Sequence, residues 1–84
     1  MPRYYFHLRD GSNLHHDPEG GEFESIEAAR SEAVGSAKLL ISEIVKAEAP
    51  LGLALRLIYE ITSETGEVMV VMFFREVAEI DTRK

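Results

Sequence analysis

The chain has 84 residues, of which 45% are hydrophobic and 29% are charged, and its formal net charge is -6. This length and balance predict one globular domain spanning residues 1–84 and exclude a second domain. The negative charge disfavours nucleic acid as a partner, because a phosphate backbone would be repelled. Because the chain has no cysteine, a disulfide, a thiolate metal site and a thiol nucleophile are excluded.

The composition also bears on where the protein acts. No stretch approaches the ~20 apolar residues of a membrane span, and the first residues lack the apolar run of a signal peptide. Small domains exported to an oxidising compartment are often held together by disulfides, which this sequence cannot form. We therefore expect a cytoplasmic protein with no membrane partner.

Residues 3–9 alternate between two sides, which predicts a half-buried first strand. One side carries Tyr4, Phe6 and Leu8, and the other carries Tyr5, His7 and Arg9. Asp10 and Gly11 supply a turn, and residues 14–16 return as a short second strand.

Two registers are open for this first hairpin. A three-residue loop places Leu8 opposite Leu14 and His7 opposite His15, whereas a two-residue loop places Leu8 opposite Asn13. We favour the three-residue loop, because it keeps the apolar side chains on one face.

A long helix follows the chain-breaking segment at residues 17–21. Ser25 is the predicted N-cap, the helix begins near Ile26, and Pro50 with Gly52 ends it, which allows up to about 23 residues. At 100° per residue, the apolar side chains form one broad stripe. Its members are Ile26, Ala29, Ala33, Ala37, Leu40, Ile41 and Ile44.

The second half of the chain predicts another hairpin. Residues 53–62 alternate as a third strand, and residues 63–66 form a turn with Gly66 in a left-handed conformation. Residues 67–74 (EVMVVMFF) return without alternation, which is typical of a strand that is covered on both faces. The last ten residues hold Val77 and Ile80 among charged residues, and we expect residues 81–84 to fray unless Ile80 docks.

The predicted order is therefore β-β-α-β-β. The fold class is α+β, with a four-stranded, mainly antiparallel sheet and one long helix packed on one face.

The fourth strand supports the leading hypothesis about function, a non-enzymatic interaction or regulatory module that self-associates. Opposite the helix, the sheet presents an apolar patch of a few hundred Å², which is unlike the exposed surface of most monomers. The predicted interface residues are Tyr5, Ile58, Met69, Val71 and Phe73.

Three partners could bury this patch: the C-terminal tail through Val77 and Ile80, a second copy of the chain, or a different protein. We favour a symmetric homodimer, because a two-fold axis makes one patch complementary to itself. The outer surface of the helix near Gly35 and Leu39 is an alternative dimer surface.

A second hypothesis is a regulator that binds a metal or a small ligand through His7, His15 and the acidic loop containing Asp17. In the favoured register the two histidines are cross-strand neighbours, and two imidazoles with a carboxylate could hold zinc. Short-range histidine spacing is a weak motif, and solvated histidines on an exposed strand give the same pattern. We therefore predict no metal and no cofactor.

Catalysis would have to use His7 with Asp10, or Glu60. The sequence contains no nucleophile elbow, phosphate-binding loop or glycine-rich dinucleotide turn. We predict that the protein is not an enzyme.

Three segments carry a family resemblance: the opening RYYFHLRDG, the helix start IEAARSEAV and the hairpin ITSETGEVMVVMFF. Together they resemble a family of small bacterial domains of unknown function, in which such an opening precedes one alanine-rich helix and a closing hairpin. The match is residue by residue from Arg3 to Gly11, and the resemblance covers nearly the whole chain. It implies the architecture only, since that family has no established activity, cofactor or site.

The segment SIEAA at residues 25–29 is also similar to the helix start of antitoxins from small bacterial toxin–antitoxin pairs. The Pro-Asp-Leu-Pro-Gly-like segment of those proteins is missing here. This likeness implies a third hypothesis, an acidic inhibitor of a basic partner protein.

Overall fold

A computed structural model describes the backbone of residues 1–82 and the side chains of residues 1–79. The elements are β1 (Arg3–Asp10), β2 (Asn13–His15), β3 (Gly21–Glu22), α1 (Ile26–Lys46), α2 (Leu51–Leu55), β4 (Leu57–Thr62), β5 (Val68–Phe73) and α3 (Phe74–Thr82).

The strands form one antiparallel sheet in the order β2-β1-β4-β5, and the two-residue β3 pairs with the start of β1. The long helix α1 packs against this sheet. The predicted α+β architecture is therefore confirmed, and β3 is an addition to the four strands expected. Two residues are too few for an alternating pattern to be visible in the sequence.

The first hairpin has a register that differs from the favoured one. Leu8 lies opposite His15 and Asp10 lies opposite Asn13, so only two residues form the turn. The prediction that Leu8 faces Leu14 was wrong, and the alternative that places Leu8 opposite Asn13 was wrong too. Gly11 has a φ of 64°, which permits a tight turn and leaves Asp10 inside the strand.

Helix α1 begins as the sequence predicts. The Ser25 hydroxyl accepts a hydrogen bond from the Ala28 amide at 3.1 Å, which confirms the N-cap. The alanines at 29, 33 and 37 are fully buried, and the larger members of the stripe pack around them. The helix ends at Lys46, ahead of Pro50, and Glu48 then adopts a positive φ of 59°.

The predicted third strand was wrong at its start. Residues 51–55 form the short helix α2 after Pro50, and only residues 57–62 are strand β4. Leucine and alanine favour helix, and Ala54 is completely buried where α2 meets its neighbours. Alternating leucines in so short a segment fit either a strand or one turn and a half of helix.

The second hairpin matches its prediction. Gly66 has a φ of 88°, its amide donates to the Ser63 carbonyl at 3.0 Å, and the Ser63 amide donates to the Glu67 carbonyl at 2.9 Å. Strand β5 has a bulge at Met69, because Ile61 pairs with Val70 while Thr62 pairs with Val68.

The chain continues after β5 as helix α3, which the sequence analysis did not predict. Phe74 and Val77 lie one turn apart and are both buried in the core with the alanines of α1. Val77 therefore does not cover the opposite face of the sheet, so that alternative for the tail was wrong for Val77. The Ile80 side chain lies outside the described residues, and so do Arg83 and Lys84 of the segment 81–84 that was predicted to fray.

The core lies between the sheet and the helices. Ile61 and Phe74 are its largest completely buried side chains, and the Tyr59 hydroxyl lies 2.9 Å from the Ser36 hydroxyl of α1. Within residues 1–82, no helix has the length and apolar character needed to cross a membrane.

Candidate functional site: the outer face of the sheet

The sheet face opposite the helices, hereafter the outer face, is set by strand pairing, because directly paired residues point to the same side. Strand β1 contributes Tyr5, His7 and Arg9, strand β4 contributes Ile58, Glu60 and Thr62, and strand β5 contributes Val71 and Phe73. Val68 pairs with Thr62 and joins this face, and Met69 is the extra residue of the bulge.

One margin of the outer face is an exposed apolar row, hereafter the β5 row, formed by Val68, Met69, Val71 and Phe73. Their exposed fractions are 50%, 44%, 49% and 38%. The residues at alternate positions on the same strand are better covered, and Met72 is 4% exposed. The sequence of β5 does not alternate because both of its sides are apolar. One side is buried, and the other is exposed to solvent in the single chain.

Of the five predicted interface residues, strand pairing places four on the outer face, and the fifth, Met69, lies beside them as the extra residue of the bulge. Val71 lies opposite Glu60, and Phe73 lies opposite Ile58. Ile58 is half-buried beside the β5 row, whereas Tyr5 lies two strands away on β1. Val68 was not among the predicted interface residues, because the bulge changes the side to which this residue points.

The middle of the outer face carries an ion pair between neighbouring strands. The Arg9 Nε atom lies 2.6 Å from a carboxylate oxygen of Glu60. This hydrogen bond, together with the attraction of the carboxylate charge, raises the pKa of the Arg9 guanidinium above its ordinary value. Each charge is therefore balanced within the chain.

Both ring nitrogen atoms of His7 form hydrogen bonds. Its Nδ1 atom accepts a hydrogen bond from the Asp17 amide at 3.0 Å, so in the neutral ring Nε2 carries the proton and donates to the Thr62 hydroxyl at 3.1 Å. The ring stacks on Tyr5, with centroids 6.2 Å apart, and meets His16 edge-on at 5.0 Å.

Asp17 completes this cluster from the loop between β2 and β3. One carboxylate oxygen accepts the Phe6 amide at 3.1 Å, and the other accepts the Gly20 amide at 3.2 Å. Strands β2 and β3 both pair with the same edge of β1, but their registers differ by two residues. The Phe6 amide, which lies between the two paired segments, therefore faces a loop and not a strand. Asp17 therefore supplies the acceptor that a strand partner would otherwise provide.

The two histidines of the metal-binding hypothesis, His7 and His15, lie on opposite sides of the sheet. His15 pairs with Leu8, which points toward the core side, while His7 points to the outer face. His16 is the neighbour of His7 instead. Among the described residues there is no group of three side chains placed to hold a metal ion.

The carboxylates considered for catalysis have structural partners as well. Asp10 accepts a hydrogen bond from Arg56 Nε at 2.7 Å, and Glu60 is paired with Arg9. The contacts of Asp17 and Thr62 with His7 were not predicted, because they join residues that are 10 and 55 positions apart in the sequence.

The arrangement defines a small α+β domain whose sheet is covered by helices on one face and is part polar, part apolar on the other. A family model described as Domain of unknown function (DUF6894) matches residues 3–75. The chain belongs to this family, which confirms the resemblance to a family of unknown function. Comparison with curated proteins and with solved structures finds no match.

Proposed function

We propose that this domain is a non-enzymatic interaction module that forms a symmetric homodimer through the outer face of its sheet. The observation that supports this proposal is the β5 row, in which four neighbouring apolar side chains are each more than a third exposed. Contiguous apolar surface of this kind is typical of protein interfaces.

The total surface area supports the same proposal. The chain exposes 5623 Å², whereas a folded monomer of 9.4 kDa is expected to expose about 5000 Å². The excess is on the order of 600 Å², and two copies that bury such an area reach the lower end of stable interfaces, at about 1200 Å² in total.

Charge favours a second copy over a partner of opposite charge. Each chain carries a formal net charge of -6, so two copies repel each other unless the surfaces that meet have no net charge. The β5 row has no charged member, and the adjacent Arg9 and Glu60 neutralise each other. A basic partner, as in the antitoxin hypothesis, would gain little from this surface and more from the acidic surface elsewhere.

The layout of the outer face suits a two-fold axis. The apolar row lies on β5 and the polar side chains lie on β1, with β4 between them. An axis through the β5 row places apolar side chains of one copy on those of the other and leaves the polar strand at the rim. Such an arrangement has the apolar centre and polar margin of known interfaces.

Sedimentation equilibrium over a concentration series tests this proposal with two matched variants. We expect the unaltered chain to have a dimer mass, Val71→Lys to have a monomer mass, and Leu39→Lys to keep the dimer mass. Leu39 is 61% exposed on α1, so the same kind of substitution there controls for added charge. Circular dichroism checks that both variants fold.

Two results would contradict the proposal. A monomer mass for the unaltered chain at millimolar concentration would exclude self-association by this face. A monomer mass for Leu39→Lys together with a dimer mass for Val71→Lys would instead assign the interface to the outer surface of α1.

Hydrogen exchange distinguishes two arrangements of the dimer. In one the outer faces pack together, and in the other the β5 strands of the two copies pair edge to edge. Within the described residues no strand pairs with the outer edge of β5. Packing through the faces leaves the amides along that edge exchanging quickly, whereas strand pairing at the edge protects them in the dimer. We expect fast exchange, and protection that increases with protein concentration would overturn the face-to-face arrangement.

A further inference from the structure

A second feature of the molecule lies on the helix side of the sheet, away from the β5 row. A cavity of about 150 Å³ opens between β1, the loop that leads into β3, and α1. Its lining includes the aromatic residues Tyr4, Phe6 and Phe23 and the acidic residues Asp17 and Glu32.

Three aromatic rings form the apolar part of the cavity. The Phe23 ring lies 5.6 Å from that of Phe6, nearly parallel to it, and 6.4 Å from that of Tyr4. Aromatic ring faces carry partial negative charge and attract cations within about 6 Å of the ring centre.

Both charged groups in the lining are acidic. The carboxylate of Asp17 accepts backbone amides only, and Glu32 is exposed on α1. Within the described residues, neither carboxylate lies in an ion pair, and the lining contains no lysine or arginine. The cavity therefore combines negative charge with aromatic surface and has no internal cation to balance it.

Glycine at two positions keeps the cavity wall close to the sheet. Gly20 has a φ of 67°, and a Cβ atom there would lie 2.7 Å from the Tyr4 carbonyl oxygen. At Gly21 a Cβ atom would lie 3.0 Å from the Phe23 ring. The wall thus depends on the close approach of the backbone at residues 20 and 21, where there are no side chains.

We propose that this cavity binds a small methylated ammonium group. A cavity of about 150 Å³ holds a benzene-sized molecule, which is comparable in size to a quaternary ammonium group. Aromatic faces and carboxylates together recognise such a cation, since its charge is spread over methyl groups that are weakly hydrated. A primary amine or an inorganic cation would lose more hydration on entering the same site.

The test compares choline with 3,3-dimethyl-1-butanol, its neutral analogue of the same shape, by NMR titration of the full chain. We expect choline to shift the Tyr4, Phe6 and Phe23 resonances at millimolar concentration, with the neutral analogue binding at least about tenfold more weakly. Equal affinity for the two probes, or no shift with choline, would overturn the proposal.

Two substitutions assign the binding to this cavity. Glu32→Gln removes one charge without changing shape and is expected to weaken choline binding about two- to fivefold. Phe23→Leu keeps apolar contact but removes a ring, and is expected to weaken it by about tenfold. Glu43→Gln, an equal change at an exposed position of α1 outside the lining, should leave the affinity unchanged. Equal weakening by Glu43→Gln would show that choline responds only to overall charge and would contradict the assignment.

Discussion

The two faces of the sheet differ in how far they are buried. On the helix side, Ile61 of β4 and Phe74, the first residue of α3, are completely buried together with the alanines of α1. On the outer face, hydrogen bonds satisfy the side chains near β1, but no element among the described residues covers the β5 row. The described residues thus supply helix for one side only, and the other side is where we propose that a second copy binds.

Neighbouring phenylalanines give the most direct test of this contrast. Phe74 is completely buried, whereas Phe73 is 38% exposed on the outer face. We expect Phe74→Ala to lower the free energy of unfolding by about 3–5 kcal/mol, because it leaves a cavity in the core. Phe73→Ala should cost less than about 1 kcal/mol in the monomer, since it removes no enclosed contact.

The measurement is urea unfolding at low and at high protein concentration. Association adds stability that increases with concentration, so Phe73→Ala should cost more at high concentration than at low. Similar losses for Phe73→Ala and Phe74→Ala at low concentration would mean that the outer face is already enclosed within one chain.

The sequence predicted the helix side well because its signals are local or periodic. The Ser25 cap, the alanine stripe and the turn at Gly66 each depend on a few adjacent residues and their intrinsic preferences. Helices α2 and α3 were missed because each is short. Their formation depends on burying Ala54 and Phe74 against elements that are distant in sequence.

The outer face was predictable in part. The two-residue repeat of a strand puts Val71 and Phe73 on one face and their alternates on the other, but it does not say which set lies opposite the helix, and the structure puts Val71 and Phe73 there. The partners of His7 were not predictable, because the register of β2 was wrong by one residue and a one-residue shift moves every side chain to the other face. Nothing local signals the two-residue shift by which Asp17 reaches the Phe6 amide.

The polar side of the outer face should contribute an intermediate amount to stability. Replacing His7 by Phe keeps a ring beside Tyr5 but removes both nitrogen atoms, so the Asp17 amide and the buried Thr62 hydroxyl lose their partners. We expect a loss of about 1–3 kcal/mol in urea unfolding. His15→Phe, at an exposed site, should change the stability by less than about 0.5 kcal/mol.

A third variant separates the two hydrogen bonds of His7. His7→Asn retains an acceptor near the position of Nδ1, so it should recover part of the stability lost in His7→Phe. Direct 15N measurement on the His7 ring should find the proton on Nε2. A proton on Nδ1 would contradict the hydrogen bond from the Asp17 amide and, with it, the account of how the loop is held.

The ion pair between Arg9 and Glu60 is expected to have the smallest effect in the monomer, because water and salt screen a pair on an open surface. A double-mutant cycle with Arg9→Gln and Glu60→Gln should therefore show weak coupling that added salt reduces further. Covering the outer face changes this environment, since a second copy removes water from the rim beside the β5 row. The coupling measured at concentrations that favour the dimer should then be stronger and less sensitive to salt than in the monomer. Equal coupling and equal salt dependence at both concentrations would place any dimer contact away from Arg9 and Glu60.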